Sequence, residues 1–143
     1  MYLKKKVLFI CTGNACRSQI AHGLLNDSSS ADFEVFSAGS HPSKVHPISI
    51  AVMEEIGIDI SKHTSDHIND YRNLCIDIVI TVCDYANNVC PIFPENVDRI
   101  HWSIDDPFIN WNFDLNQLST FRETREEIKS RLLKFIQAYE IGK

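Results

Sequence analysis

The run Cys11-Thr12-Gly13-Asn14-Ala15-Cys16-Arg17-Ser18 sets a thiol, an arginine and a hydroxyl within one short segment. It follows an apolar stretch, Val7-Leu8-Phe9-Ile10, and leads into a helical pattern at Gln19–Leu25. On a strand-to-helix turn, the backbone N–H groups of the loop and of the helix start point at a bound tetrahedral anion. Arg17 grips two of its oxygens with a planar fork. The same positive field is expected to hold Cys11 as thiolate, with Ser18 donating a further hydrogen bond to the sulfur. The segment Thr12–Ser18 therefore reads as an oxyanion-binding loop, with Cys11 as the nucleophile within reach of it.

Further along, Asp105-Asp106-Pro107 offers a general acid. Proline restricts the residue before it and presents that carboxyl stiffly, but the residues alone leave Asp105 and Asp106 both open. Cys83 and Cys90 are seven apart. On one helix that spacing rises about 10.5 Å, whereas a disulfide needs its alpha carbons within roughly 7 Å. If the segment is helical, any bond between these two thiols would require it to unwind, and the polar Asp84, Asn87 and Asn88 suit one that refolds.

Four short apolar segments position these groups: Lys6–Ile10, Glu34–Ser37, Ile76–Val82 and Arg99–Trp102. Helix patterns fall between them at Ser18–Leu25, Pro47–Ile56, His67–Asn73 and just after Cys83. A last helix carries Leu118, Phe121, Ile128, Leu132 and Phe135 on one face. Alternation of this kind predicts an α/β fold, a single domain spanning 1–143 with a four-stranded parallel sheet and helices on both faces. Asn26–Ser30 reads as a loop, and Gly57 as the glycine just past the second helix. Ligands of open parallel sheets bind outside the carboxyl ends of the strands. The anion loop follows the first strand, Cys83 the third and Asp106 the fourth, so all three meet at one edge.

A length of 143 residues suits one core, and 44% hydrophobic with 23% charged residues suits a globular chain. A net charge of -5 argues against a nucleic-acid partner. No apolar run approaches a membrane span, and Met1–Lys6 lacks the apolar core of a leader, so a cytoplasmic enzyme is expected. Five cysteines, an odd number, fit a reducing compartment better than a disulfide framework. Of these, Cys75 reads as a buried packing residue. The six histidines, with His63 and His67 four apart, do not converge on a metal site, so no metal or other cofactor is expected. Arg122, Glu123, Arg125, Glu126 and Glu127 read as a solvated helix face.

Cys-x5-Arg-Ser so near the start of the chain resembles the low-molecular-weight protein tyrosine phosphatase family. Asp106-Pro107 is similar to that family's general-acid loop, and Phe36-Ser37-Ala38-Gly39 to its second strand and exit. Thr81-Val82-Cys83, followed by Asn87-Asn88-Val89-Cys90-Pro91, resembles the redox segment of the thioredoxin-coupled arsenate reductases, a branch sharing the phosphatase fold. The resemblance implies Asp106 as the acid. It also implies a relay in which Cys11 attacks arsenate, Cys83 attacks Cys11 to release arsenite, and Cys90 takes the disulfide on to thioredoxin. A plain phosphotyrosine hydrolase working through a cysteinyl-phosphate at Cys11 is the alternative, with Cys83 and Cys90 as packing. An idle anion-binding module fits poorly with an intact Cys11, Arg17 and Asp106. Phosphatases of the family typically carry tyrosines after Asp-Pro, where this chain has Phe108-Ile109-Asn110-Trp111, which favours the reductase. Cys16 is read equally as packing or as a partner that traps Cys11 in a disulfide. Related reductases hold potassium behind the loop. Asn14, Ser37, Thr64 and Asp66 match that pattern, but His22 stands where a glutamate is expected.

Overall fold

The structure is a computed structural model and describes residues 3–89, 93 and 96–142. Cys90 lies outside the described residues. The chain runs β1 (Lys5–Cys11), α1 (Arg17–Ser29), β2 (Phe33–Gly39), α2 (Pro47–Glu54), a 3-10 turn (Ile68–Tyr71), β3 (Ile78–Thr81), α3 (Asp84–Val89), β4 (Asp98–His101), a second 3-10 turn (Leu115–Gln117) and α4 (Leu118–Ile141). The four strands are all parallel, in the order β2-β1-β3-β4. Among the described residues, no helix is long and apolar enough to cross a membrane.

Strand position explains strand sequence. β1 is central, covered on both faces, and Val7, Leu8, Phe9 and Ile10 are all fully buried, so it reads as a continuous apolar run. β4 is an edge strand, and its Asp98, Arg99 and His101 are exposed. The register between β1 and β2 ends on Cys11 opposite Gly39, which brings the anion loop against the exit of β2. A Cβ at Gly39 would sit 2.4 Å from the Thr12 carbonyl oxygen and 2.9 Å from the Asn14 nitrogen. Glycine is required there because the two backbones touch. α1, α2 and α4 pack on one another, with Ile20, Leu25, Val52, Phe121 and Ile128 fully buried. Each such side chain stabilises the fold by about 1.5–3 kcal/mol.

Several expected boundaries shift. α1 continues through Asn26–Ser29, where a loop was expected. Leu24 and Leu25 anchor its last turns in the core, and the exposed serines extend a helix already formed. The segment His67–Asn73 forms only a 3-10 turn, because Ile68 alone is buried there and the His67 ring accepts from the Asn69 N–H. α2 ends at Glu54 rather than Ile56, with Gly57 closing it as expected. Gly57 (φ +79°) donates to the Glu54 carbonyl and Ile58 to that of Met53, the paired bonds of a Schellman turn. Cys75 is exposed rather than buried. It adopts a left-handed φ of 56° in the turn before β3, which leaves neighbouring Ile76 to fill the core. The helix face around Arg122 is not simply solvated. Arg122 and Arg125 both pair with Glu55 at the end of α2, and Arg125 also donates to the Val52 carbonyl.

Candidate active site

The loop from Cys11 to Arg17 adopts its shape because its carbonyls are bonded outward. The Cys11 and Thr12 carbonyls accept from the N–H groups of Ser40 and His41. Gly13 accepts from the Ser43 N–H, the Ser43 hydroxyl and the Ser65 hydroxyl. Asn14 accepts from the Gln19 amide, and Ala15 from the His46 N–H and the Ser49 hydroxyl. With the carbonyls so engaged, the loop leaves its N–H groups for an anion. Asn14 takes a left-handed φ of 49° in the middle of the turn and is fully buried. Its amide donates to the Ser18 hydroxyl at 2.7 Å, and its side-chain oxygen accepts from the Asp66 N–H at 2.9 Å.

Because Ser18 Oγ accepts from Asn14, its own hydrogen is free to point at Cys11 Sγ, 2.8 Å away. The Asn14 N–H donates to the same sulfur at 3.2 Å. Cys11 is only 2% exposed, and burial pushes its thiol up, against the expectation of a resident thiolate. The hydroxyl and N–H of Ser18 and the Arg17 guanidinium pull the other way. Cys83 also bears on the charge of Cys11.

A cavity of about 180 Å³ opens above this loop. Cys11, Thr12, Gly13, Ala15, Cys16 and Arg17 form one side, and Ser43, Asp106, Phe108 and Trp111 the other. Asn14 and Ser18 lie behind it. Arg17 is held from both ends: Nη1 donates to the Ile104 carbonyl at 2.9 Å, and Nη2 lies 3.5 Å from an Asp106 oxygen. The other Asp106 oxygen accepts from the Phe108 N–H, which orients the carboxyl over the cavity. Asp105 does not line it. Cys16 is the N-cap residue of α1, with no side-chain capping bond, and burial and the nearby Cys11 push its thiol up to about 12.

Cys83 is buried at the rim, where its sulfur meets the Thr12 hydroxyl at 3.3 Å and accepts from the Ala86 N–H at 3.3 Å. The three elements expected at one sheet edge thus meet there: the loop after β1, Cys83 after β3 and Asp106 after β4.

The would-be cation ligands are differently occupied. Asn14 and Asp66 bond to each other, Thr64 and Tyr71 donate to the Asp66 carboxylate, and Ser37 faces the His22 ring at 2.9 Å. His22 stacks on His63 at 4.3 Å. Burial, followed by the neighbouring His63, lowers its pKa to about 4. A neutral imidazole is not the anionic oxygen donor that a hard cation prefers, so the residues do not fit potassium.

Sequence reasoning missed the scaffold. His46, one of the six histidines set aside as not forming a metal site, is fully buried. Its Nδ1 accepts from the Ile48 N–H, so Nε2 carries the proton and donates to the Asn110 carbonyl at 2.7 Å. The ring stacks on Trp111 and packs against Phe108 and Phe121, which pins the aromatic wall of the cavity. A histidine just before a proline at a helix start was the available signal, since the side chain can cap that helix.

The family description "low molecular weight phosphotyrosine protein phosphatase" matches residues 6–142. An arsenate reductase of Halalkalibacterium halodurans is 41% identical over 134 residues, covering 94% of this chain and 96% of that one. A solved structure described as an arsenate reductase in the oxidised state superposes with a TM-score of 0.80 at 36% identity, over 94% of this chain and 98% of the other. The thioredoxin-dependent arsenate reductase of Corynebacterium glutamicum superposes with a TM-score of 0.78 at 30% identity, over 98% of this chain and 64% of that one. Taken with the loop geometry, these matches show that the chain belongs to the low-molecular-weight phosphotyrosine protein phosphatase family, with arsenate reductases among its relatives.

Proposed function

We propose that this protein reduces arsenate to arsenite through Cys11, Cys83 and Cys90, with thioredoxin as the reductant, in the cytoplasm. The observation that carries the reading is the second buried thiol. Cys83 touches the anion loop through Thr12, where a hydrolase needs no sulfur.

Arsenate binds to the loop N–H groups and the Arg17 fork. Cys11 gives up its proton, which the dianionic substrate itself can accept, and its sulfur displaces one arsenate oxygen. Asp106 protonates that oxygen, which leaves as water. Cys83 then attacks the Cys11 sulfur. The S–S bond forms as the S–As bond breaks, and the electron pair stays on arsenic, so As(V) leaves as arsenite. Cys90 attacks Cys83, Cys11 departs as a thiol, and the Cys83–Cys90 disulfide passes to a dithiol carrier. Two thiols are oxidised for each arsenate reduced.

The Phe108 and Trp111 walls favour a second, weaker reading, in which the same cavity accepts an aryl phosphate and Cys11 forms a cysteinyl-phosphate. The deciding test is arsenate-dependent NADPH consumption with thioredoxin and its reductase. Wild type turns over, whereas Cys83→Ser and Cys90→Ser stop after at most one event. A wild type silent with arsenate but hydrolysing a phenyl phosphate through Cys11 would establish the phosphatase instead.

A further inference from the structure

Beside the cavity, a polar network surrounds Cys83 and plays no part in the chemistry described above. His101, the last residue of β4, reaches back across the end of β3. Its Nδ1 lies 2.7 Å from the Thr81 hydroxyl and its Nε2 2.8 Å from an Asp84 carboxylate oxygen. Thr81 is two residues before Cys83, and Asp84 is the first residue of α3 just after it. A carboxylate only accepts, so Nε2 carries the proton of that bond. Ser103 donates to the second Asp84 oxygen at 3.2 Å. The His101 hydrogen bond, followed by that of Ser103, holds the Asp84 carboxyl below its ordinary range.

These bonds close the strand-to-helix turn on which Cys83 sits. The turn presents the sulfur to two partners, the Thr12 hydroxyl and the Ala86 N–H. Thr81 is already fixed by the ladder, fully buried between β1 and β4. Asp84 is exposed at the start of the short, six-residue α3, and its carboxylate is held by His101 on one oxygen and Ser103 on the other. The His101 imidazole thus ties the start of α3 to Thr81, beside a second link in which the Thr81 hydroxyl donates to the Asn87 side chain at 3.2 Å.

We infer that His101 is a positioning residue for the second step of the relay, holding Asp84 so that the Cys83 sulfur stays aimed at Cys11. The inference rests on the reading of Cys83 as the attacking thiol. His101 touches neither the oxyanion nor the reacting sulfurs and acts only through the turn.

The test is single-turnover arsenite release in a Cys90→Ser background, which stops the sequence at the Cys11–Cys83 disulfide. His101→Ala is expected to slow release about three-fold or more, from the loss of a partly exposed hydrogen bond to a carboxylate and of the Thr81 partner. The arsenate concentration giving half-maximal rate stays unchanged, because the anion loop is untouched. His101→Gln, which keeps one donor and one acceptor, restores most of the rate. Asp84→Ala slows release to the same extent, and the double variant is no slower than either single one, because both cut the same link. A His101→Ala rate equal to the parent's, or additive losses in the double variant, overturns the inference while leaving the relay standing. Release that persists in Cys83→Ser overturns the relay, and the role of His101 with it.

Discussion

Replacing Ser18 with alanine removes the hydroxyl that points at Cys11 Sγ from 2.8 Å. It also strands the Asn14 amide, which donates to that hydroxyl at 2.7 Å in a fully buried site. A hydrogen bond to a charged group contributes about 1.5–3 kcal/mol, and about 1.4 kcal/mol is a tenfold change in rate. The attack of Cys11 on arsenate should therefore slow about 10- to 150-fold. Ser18 lies behind Cys11 and outside the cavity lining, so the half-saturating arsenate concentration should change little. Burial already pushes the Cys11 thiol up, and the Ser18 hydroxyl opposes it. Removing the hydroxyl should move the alkaline rise of the rate to higher pH. Rapid-quench measurement of the first turnover across pH 6–10 reads both effects. A variant within two-fold of wild type at every pH would refute the assignment of that proton.

Asp106→Asn should lower the first-step rate by about 10²- to 10⁴-fold and Asp105→Asn only slightly, since Asp106 lines the cavity; the same quench assay separates them. Glu55→Gln should lower stability by about 1 kcal/mol in urea unfolding at neutral pH. The Arg122 hydrogen bond, joined by Arg125, holds the Glu55 carboxyl down to about 2. Its contribution is thus present above pH 4.5 and lost as pH falls toward 2, and the difference between wild type and variant should vanish there. His22 is pulled the other way for a base, to about 4. The unfolded chain takes up a proton near pH 6.5 that the fold excludes, so stability falls between pH 6.5 and 4 by about 3 kcal/mol. His22→Gln should flatten that fall in unfolding curves, and potassium titration should leave wild-type activity unchanged.

The nucleophile, its clamp and the strand carrying them were legible because they are contiguous. Cys11 to Ser18 follows an uninterrupted apolar strand, and that pattern alone locates the turn. The meeting of Cys11, Cys83 and Asp106 was legible from topology, since each follows a parallel strand. Partners that reach the site from distant chain were not legible. Ser43, Ser65, Gln19 and Ser49 take the loop carbonyls through bonds set by packing, and no local spacing announces them. His46 and His101 looked like ordinary polar histidines because their meaning lies in what faces each ring nitrogen. Cys75 was misplaced because the general tendency of cysteine to be buried says nothing of a left-handed turn. Asn26–Ser29 looked like a loop because its serines and aspartate are weak helix formers, yet the buried leucines before them set the outcome.

The central claim is that Cys83 removes arsenite by bonding to Cys11. The most direct measurement is peptide mapping of Cys90→Ser after one equivalent of arsenate, with arsenite counted in the same sample. The account predicts one Cys11–Cys83 disulfide and one arsenite per chain. Arsenite released with Cys83 still reduced, or a Cys11–Cys16 disulfide in its place, would contradict it.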